Sequence, residues 1–273
     1  MTEDTLRYPG TLAVIGGGRM GEAILGGLLK SGVIAADRIT VAEPDAARRA
    51  ALQAEFSVRV AADGAAALPA DTVLFAVKPQ VIDDVVSALS GRLGGSLVVS
   101  IAAGISCARL EASLPPRTAV VRVMPNTPAL VGAGMSVVSG GSEATAEQVE
   151  LVCGLFASLG EALVLDERYQ DAATAISGSG PAYFALVVDA LARAGVRQGL
   201  ARGVAQTLAT QTMLGTARLL AETGMHPEAL VDGVSSPGGT TIAAVEALEA
   251  RALRAAFGEA VAAGVKRAKE LGS

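Results

Sequence analysis

Leu12-Ala13-Val14-Ile15 runs directly into Gly16-Gly17-Gly18-Arg19-Met20-Gly21, and this stretch decides the fold. The apolar run predicts a buried strand, and the glycines match the G-x-G-x-x-G turn between a strand and a helix. Gly16 permits the tight turn, Gly18 lets a pyrophosphate approach the backbone, and Gly21 allows the helix to pack closely on the strand. The following helix directs free N–H groups at the phosphates. The motif predicts a dinucleotide site; the alternative is a structural turn, since 32 glycines can produce the pattern by chance.

Beyond this stretch, the first part of the chain alternates β-rich runs with helical ones. Such alternation, with apolar strands, predicts a parallel sheet covered by helices on both faces. Strands are predicted at 11–15, 38–42, 72–76, 97–100, 119–123, 135–139 and 162–165. Helices are predicted at 19–30, 45–54, 79–89, 106–113 and 145–158. The pattern indicates the α/β class, with a Rossmann-like, doubly wound dinucleotide-binding domain over residues 1–166.

The remaining residues, 167–273, contain no strand pattern and predict an all-helical domain for substrate binding and dimerisation. Helices are expected at 168–176, 180–196, 201–222, 227–232, 240–249 and 251–270. The helix at 201–222 has no charged residue between Gly203 and Ala217. A helix that is uncharged on every face is normally enclosed by protein. We therefore expect this helix to lie in the core of a homodimer.

Composition excludes several other classes of protein. Hydrophobic residues make up 51% of the chain, but the longest uncharged stretch, 124–142, contains two prolines and four glycines. The apolar runs 93–108 and 172–188 contain Gly and Ser and fall short of the roughly 20 apolar residues that a membrane span needs. A net charge of −5 and 3% aromatic residues do not support nucleic-acid binding. We expect no membrane span and no nucleic-acid partner.

The few histidines and cysteines limit the chemistry further. His226 is the single histidine of the sequence, and Cys107 and Cys153 are its two cysteines. This set cannot supply a familiar zinc site or a Ser-His-Asp triad, so no metal is expected. His226 precedes a proline and is expected to begin a short helix. The amino terminus lacks the pattern of a secretory signal, and the two thiols suit a reducing compartment, so we expect a cytoplasmic protein.

The second strand ends at Glu43, which lies 22 residues after Gly21. An acidic side chain at this distance can hydrogen-bond the ribose 2′-OH and repel a 2′-phosphate, which slightly favours NADH. Arg48 and Arg49 could instead reach a 2′-phosphate, or they are solvated helix residues. The choice between NADH and NADPH therefore stays open.

Phe75-Ala76-Val77-Lys78-Pro79-Gln80 closes another strand. Ligands bind at the carboxyl ends of strands in such sheets. We interpret Lys78 and its neighbours as contacts to the nicotinamide half of the cofactor, although Lys78 could also be a surface charge at a strand end.

Three more motifs follow: Met124–Pro128 (MPNTP), Ser177–Tyr183 (SGSGPAY) and Val234–Thr241 (VSSPGGTT). Together with GGGRMG and FAVKPQ, in this order and spacing, they resemble the pyrroline-5-carboxylate reductase family over essentially the whole chain. The resemblance implies NAD(P)H-dependent reduction of 1-pyrroline-5-carboxylate to L-proline, the last step of proline biosynthesis. It also implies a homodimer, which in this family often forms larger rings of dimers.

The resemblance also implies site residues. For the cofactor these are the glycine turn with Glu43, Asp63, Ala76, Val77, Lys78, Pro79, Ile101, Ala102 and Ala103. For the substrate they are Glu167, Ser236, Gly238, Gly239, Thr240 and Thr241, with Thr241 carrying the catalytic contact to the ring nitrogen. Two glycines before a helix expose successive N–H groups, which independently suits a carboxylate. The sequence departs from the family where Ser is frequent, at Glu43, and where Asn is frequent, at Gly233.

Two other functions compete with this interpretation. A hydroxyacid-dehydrogenase-like reductase would need a Lys as general acid in the helical domain, but Lys266 and Lys269 lie outside any motif. A nucleotide-binding regulator that had lost the chemistry would not need VSSPGGTT. The proton source for the imine nitrogen stays open between binding of the iminium form and a water linked to Glu167.

Overall fold

The computed structural model describes residues 7–272, and side chains up to Leu271. Contacts divide the chain into two compact units. Unit one contains the residues up to Ser179 together with those from Gly264 onward, and unit two is Gly180–Ala263. Unit one carries the sheet, and unit two is helical.

Unit one is built on an eight-stranded sheet with the order β3-β2-β1-β4-β5-β6-β7-β8. All seven predicted strands are present, with ends shifted by no more than two residues, and β3 is an additional strand. The bounds are β1 Leu12–Ile15, β2 Ile39–Ala42, β3 Arg59–Ala61, β4 Thr72–Phe75, β5 Leu97–Ser100, β6 Val120–Met124, β7 Gly134–Gly140 and β8 Gly160–Val164. The α/β, doubly wound prediction is confirmed.

The parallel arrangement predicted from the first five strands is confirmed, whereas β7, whose direction the sequence pattern left open, runs antiparallel to β6. The loop between these strands, residues 125–133, contains a 3-10 turn at Thr127–Val131. It is shorter than the dozen or so residues that a crossover to a parallel neighbour requires, so the chain turns back on itself. The strand after it, β8, is again parallel to its neighbour β7.

Helices cover both faces of this sheet. They are α1 Arg19–Lys30, α2 Ala46–Phe56, α3 Ile82–Leu89, α4 Cys107–Glu111, α5 Ala146–Ala157 and α6 Gln170–Ala173. Alternate side chains of β1 enter different cores: Val14 packs in the cluster that contains Leu25, and Ile15 packs in the one that contains Phe75. Because both faces are buried, the strand is apolar along its whole length.

Unit two contains α7 Gly180–Arg197, α8 Arg202–Thr223, α9 Pro227–Gly233, α10 Thr240–Glu249 and most of α11 Leu253–Gly272. These helices match the predicted ones to within two residues. Of the residues of α8, Ala205 and Ala209 are buried, whereas Val204, Leu208 and Leu214 are about half exposed. In the single chain, α8 therefore presents apolar side chains to solvent.

The predicted helix at 168–176 is less regular than expected. A 3-10 turn at Glu167–Tyr169 leads into α6, and a π-helical turn, Thr174–Gly178, follows it. Together with α7 these segments form one helical run, Glu167–Arg197, that is long and apolar enough to cross a membrane by length and composition alone. The run 172–188 is part of this longer helical run, and a single helix of this kind is weak evidence for a membrane span.

Candidate active site

The glycine turn after β1 has the geometry that its sequence predicts. Gly16 has φ +109°, and a Cβ there would lie 2.8 Å from the carbonyl oxygen of Ala76. A Cβ on Gly21 would collide with the carbonyl oxygen of Gly16, so the helix approaches the turn closely. Around Gly18, in contrast, a Cβ would meet no described atom within 4 Å. The turn is thus packed against the sheet on one side and open at Gly18.

The helix that follows begins without a side-chain cap. Gly18 is its N-cap, and none of the side chains in residues 7–271 caps the first turn. Glu22 in that turn is neutralised by Arg48, whose Nη2 lies 2.5 Å from Glu22 Oε2. The hydrogen bond to Glu22 raises the pKa of Arg48. Free N–H groups and the helix dipole therefore remain available for an anion at this end of α1.

Glu43 is bound to the glycine turn itself. Its Oε2 accepts a hydrogen bond from Gly17 N–H at 3.0 Å, and its Oε1 accepts one from Asp45 N–H at 3.0 Å. Arg48 Nε donates to the carbonyl oxygen of Gly17 at 2.8 Å. Arg49 Nη1 donates to the carbonyl oxygens of Glu43 and Pro44. The two arginines are therefore attached to the backbone around Glu43, and the interpretation of them as merely solvated helix residues is wrong.

Asp63 lies at the same edge of the sheet. Ala61 pairs with Ala42, so Asp63 and Glu43 both follow the carboxyl ends of neighbouring strands. Asp63 Oδ1 accepts a hydrogen bond from Ala66 N–H at 2.9 Å. Two carboxylates thus stand at the ends of β2 and β3.

The remaining predicted cofactor residues follow β4 and β5. Ala76 N–H donates to the carbonyl oxygen of Ile15, and Ile101 N–H donates to that of Phe75, which extends the ladder to the sheet edge. Lys78 is exposed and precedes the 3-10 turn Pro79–Val81. Ala102 is 3% exposed, so it can offer a ligand its backbone rather than its side chain.

These residues fit a dinucleotide. The strand order changes direction at β1, whose neighbours are β2 and β4, and such a switch point is where ligands bind in open α/β sheets. The structure brings the predicted residues from 16–21, 43, 63, 76–79 and 101–103 to this one edge. A backbone open at Gly18 and an uncapped helix start suit a pyrophosphate, and an acid at the end of β2 can accept a hydrogen bond from a ribose hydroxyl.

Glu167 lies in a polar cluster of unit one. Its Oε1 accepts hydrogen bonds from Cys107 N–H at 2.8 Å and from Arg122 Nη1 at 3.2 Å. The Arg122 side chain is 6% exposed, and its Nη2 lies 3.7 Å from Asp171 Oδ1. Burial raises the pKa of the Cys107 thiol to about 12, so this sulfur is not a nucleophile near neutral pH.

Arg122 and Asp171 were not among the residues predicted from the sequence. Arg122 is a single charge in the apolar strand VVRVM, which is a signal that it needs a buried partner. The partner itself could not be identified from the sequence, because Glu167 is 45 residues away along the chain.

Two of the quoted motifs meet in unit one. Asn126 of MPNTP donates from Nδ2 to the carbonyl oxygen of Ser177 at 3.0 Å and accepts at Oδ1 from Met135 N–H at 2.9 Å. A Cβ on Gly178 would lie 3.0 Å from Met124 Cε. The π-helical turn therefore packs on the segment that follows β6.

In unit two, the VSSPGGTT segment forms an open helix start. Gly238 has φ +66°, Gly239 is the N-cap of α10, and within the described part of the chain no side chain caps this helix. Gly239 N–H donates to the carbonyl oxygen of Ser236 at 2.9 Å. Thr240 is exposed and Thr241 is half-buried in the first turn. The substrate residues predicted between 236 and 241 are thus contiguous around one helix end.

His226 has a structural role, as expected. Its Nδ1 accepts a hydrogen bond from Glu228 N–H at 3.3 Å, and Pro227 follows it at the start of α9. Among residues 7–272, no group of three or more His, Cys, Asp and Glu side chains is arranged to hold a metal ion.

Comparison with known proteins covers nearly the whole chain. Residues 167–271 match the model of the pyrroline-5-carboxylate reductase dimerisation family, and residues 11–104 match that of the coenzyme F420-dependent NADP oxidoreductases. The pyrroline-5-carboxylate reductase of Synechocystis is 47% identical over 262 residues, which cover 96% of this chain and 98% of that protein. The Escherichia coli enzyme of that name is 41% identical over a match that covers 95% of this chain and 97% of that protein.

Solved structures agree. A pyrroline-5-carboxylate reductase from Coxiella burnetii has a TM-score of 0.92 at 34% identity, covering 97% of this chain and 100% of that one. The Plasmodium falciparum enzyme, solved with NADP bound, has a TM-score of 0.87 at 28% identity and covers 98% and 100%. With such identity over almost its full length, the chain belongs to the pyrroline-5-carboxylate reductase family.

Proposed function

We propose that this protein reduces 1-pyrroline-5-carboxylate to L-proline with NADH or NADPH, as the last step of proline biosynthesis. The observation that carries the proposal is the full-length similarity to reductases of that name, at 41–47% identity for the two relatives compared above. The glycine turn of unit one and the uncapped start of α10 in unit two supply the two anion sites that this reaction requires. Steady-state kinetics with 1-pyrroline-5-carboxylate and both reduced dinucleotides tests it, and oxidation that does not depend on the imine would refute it.

For the cofactor, we propose pyrophosphate binding at the glycine turn, since Gly18 is open and α1 is uncapped. Glu43 and Asp63 would contact the adenosine ribose. The segments after β4 and β5 would hold the nicotinamide half, through the residues Ala76, Val77, Lys78, Pro79, Ile101, Ala102 and Ala103.

For the substrate, we propose that the start of α10 binds the carboxylate through Ser236, Gly238, Gly239 and Thr240. The hydroxyl of Thr241 would contact the ring nitrogen, as the catalytic contact. Backbone N–H groups at a helix start suit a carboxylate because both charge and hydrogen-bond geometry are complementary.

The cofactor, when bound, supplies the hydride that adds to the carbon of the C=N bond. The protein would hold the two reactants in line and exclude water, which can provide much of the acceleration. We propose that the substrate binds as the iminium, because the Thr241 hydroxyl is a poor acid and Glu167 Oε1 is already engaged by Cys107 N–H and Arg122. Hydride addition to an iminium gives the neutral amine directly, so no acid is needed in that step. For Glu167 we propose a supporting role, because its Oε1 holds Cys107 N–H and Arg122 in unit one.

Cofactor preference follows from the charges at the ends of β2 and β3. Carboxylates at Glu43 and Asp63 disfavour a 2′-phosphate, and Arg48 is already paired with Glu22. We therefore propose a slight preference for NADH, with both cofactors used. A hundredfold higher kcat/KM with NADPH would refute this assignment.

We propose a homodimer formed through residues 167–273. The match to the dimerisation family over 167–271 supports it, as do the exposed apolar residues Phe184, Leu186, Val204 and Leu208 on α7 and α8. Burying such side chains in a second copy would remove apolar surface from water. Sedimentation at micromolar concentration tests this; a stable monomer would refute it, and larger species would indicate a ring of dimers.

The same surface offers an explanation for the long apolar run Glu167–Arg197. In the single chain, 17% of its most apolar window is buried, and the run contains Gly178, Gly180 and Pro181. We propose that a second copy covers it and that the protein is cytoplasmic rather than membrane-bound.

We also propose that the dinucleotide-binding domain ends at residue 166 and that the substrate-binding and dimerisation domain begins at residue 167. The start of the dimerisation match at residue 167 supports this boundary.

A further inference from the structure

Asn126 of the MPNTP motif has no part in the roles proposed above, yet both ends of its side-chain amide are hydrogen-bonded. It is 8% exposed and joins two backbone groups that are far apart in sequence, the N–H of Met135 at the start of β7 and the carbonyl oxygen of Ser177. Ser177 lies within the π-helical turn 174–178, which is closed by the hydrogen bond from Ser179 N–H to the carbonyl oxygen of Thr174 at 2.9 Å. Single π-turns inside α-helices are rare, and those that occur are often found at functional sites.

The position of this turn indicates what it serves. Gly178 packs so closely on Met124, the last residue of β6, that a Cβ on Gly178 would lie 3.0 Å from Met124 Cε. Residues 101–103 follow β5, which is the parallel neighbour of β6. Ser100 at the end of β5 pairs with Arg122, so Met124 extends two residues past that end, in the direction in which residues 101–103 continue. The turn therefore lies at the carboxyl edge of the sheet, next to the segment proposed for the nicotinamide half and on the side away from Glu43.

We infer that Asn126 is a positioning residue for hydride transfer. By joining Met135 to Ser177 it fixes the turn 174–178 against the end of β6, and this turn bounds the nicotinamide half of the cofactor site. The inference rests on the proposed function. It assigns no substrate or cofactor contact to Asn126 itself, because both ends of its amide are engaged by the backbone.

Replacing Asn126 with Ala removes both links, and Asn126→Asp keeps the acceptor for Met135 N–H but loses the donor to Ser177. Both variants should lower kcat by about 10–100-fold, since a displacement of about 1 Å in a reacting group can cost that much. Their affinity for ADP-ribose, which lacks the nicotinamide, should stay that of the wild type. Loss of ADP-ribose binding in parallel with kcat, or an unchanged kcat in either folded variant, would overturn the inference.

Ser96→Ala is the matched control. Ser96 is also 8% exposed and its hydroxyl donates to the carbonyl oxygen of Ala70 at 2.7 Å, at the amino end of β5 and away from the cofactor edge. Ser96→Ala should lose about as much folding stability as Asn126→Ala, while its kcat and its affinity for ADP-ribose stay those of the wild type.

If Asn126→Ala does not fold, Gly178→Ala tests the same turn from its other side by pressing on Met124, and it should lower kcat in the same direction. A wild-type protein that does not reduce the imine, or does not bind ADP-ribose in competition with the cofactor, would instead refute the proposed function.

Discussion

Two helices of this chain, α1 and α10, begin in nearly the same way. Gly18 caps α1 with φ −68° and ψ −179°, and Gly239 caps α10 with φ −77° and ψ 172°. At either start, no side chain that the structure describes accepts a hydrogen bond from the first turn. Both ends therefore present N–H groups and a positive dipole to an anion.

The side chains around the two starts differ in charge. Glu22, Glu43 and Arg48 are bonded to one another or to the turn before α1. The first turn of α10 carries the neutral hydroxyls of Thr240 and Thr241. Fixed charges near α1 can discriminate between dinucleotides, whereas hydroxyls near α10 can orient a small acid without competing for its charge. We propose that the same backbone arrangement serves two ligands and that the surrounding side chains distinguish them.

The largest effect is expected at α10, from Thr241→Ala. Removing one positioned hydroxyl, which would accept a hydrogen bond from the N–H of the iminium, should lower kcat by roughly 10–10³-fold, by analogy with the loss of a single positioned hydrogen-bonding group in other enzymes. The KM for the dinucleotide should change little, because the cofactor residues lie in unit one. Thr241→Ser keeps the hydroxyl and should retain most of the activity. Turnover by Thr241→Ala equal to that of the wild type would remove Thr241 from the mechanism.

A smaller effect is expected at α1, from Gly18→Ala. A Cβ at this position meets no described atom within 4 Å, so the protein should fold normally. The added methyl group would occupy space that the pyrophosphate needs, and losing a charged hydrogen bond should raise the dinucleotide KM by about 10–100-fold. Gly91→Ala, at an equally open glycine outside the site, should leave the KM unchanged. An unaltered KM in Gly18→Ala would place the pyrophosphate elsewhere.

Most of the fold could be predicted from the sequence because the strands are buried on both faces. The run Leu12–Ile15 is apolar throughout and Leu97–Ser100 is apolar up to its last residue, and this signal does not depend on distant residues. β3 escaped prediction because Arg59–Ala61 is short and lies at the sheet edge, with no fully buried residue. The direction of β7 depends on the length of its connection to β6, which an apolar pattern does not reveal.

The site was predictable in part, for the same reason. The glycine turn and VSSPGGTT are each one continuous stretch of sequence, so the geometry of each is encoded locally. The links from Asn126 to Ser177 and from Arg122 to Glu167 join residues 51 and 45 positions apart. Such pairs arise from tertiary packing, and a single sequence carries no signal for which distant group satisfies a buried amide or guanidinium.

Glu43→Ser should alter the charge that distinguishes α1 from α10. Removing the carboxylate frees Gly17 N–H and relieves repulsion of a 2′-phosphate. We expect kcat/KM to shift toward NADPH by roughly tenfold, the size typical of a partly exposed charge contact. Glu161→Ser removes an exposed charge on β8, at the opposite end of the sheet, and should not change the cofactor ratio. No shift in Glu43→Ser would mean that Glu43 only supports the turn through Gly17.

The smallest expected effect is on folding stability, and it depends on the backbone conformations at the two helix starts. Gly238 has φ +66°, so Gly238→Ala places an L side chain in the left-handed region and should cost about 1 kcal/mol of stability. Gly18 has φ −68°, which alanine adopts readily, so Gly18→Ala should be neutral or stabilising by up to about 1 kcal/mol. Urea unfolding of both variants at one protein concentration measures the difference without ligand. Equal midpoints would mean that the turn before α10 relaxes into another conformation, and the carboxylate site proposed there would then need the bound acid to form.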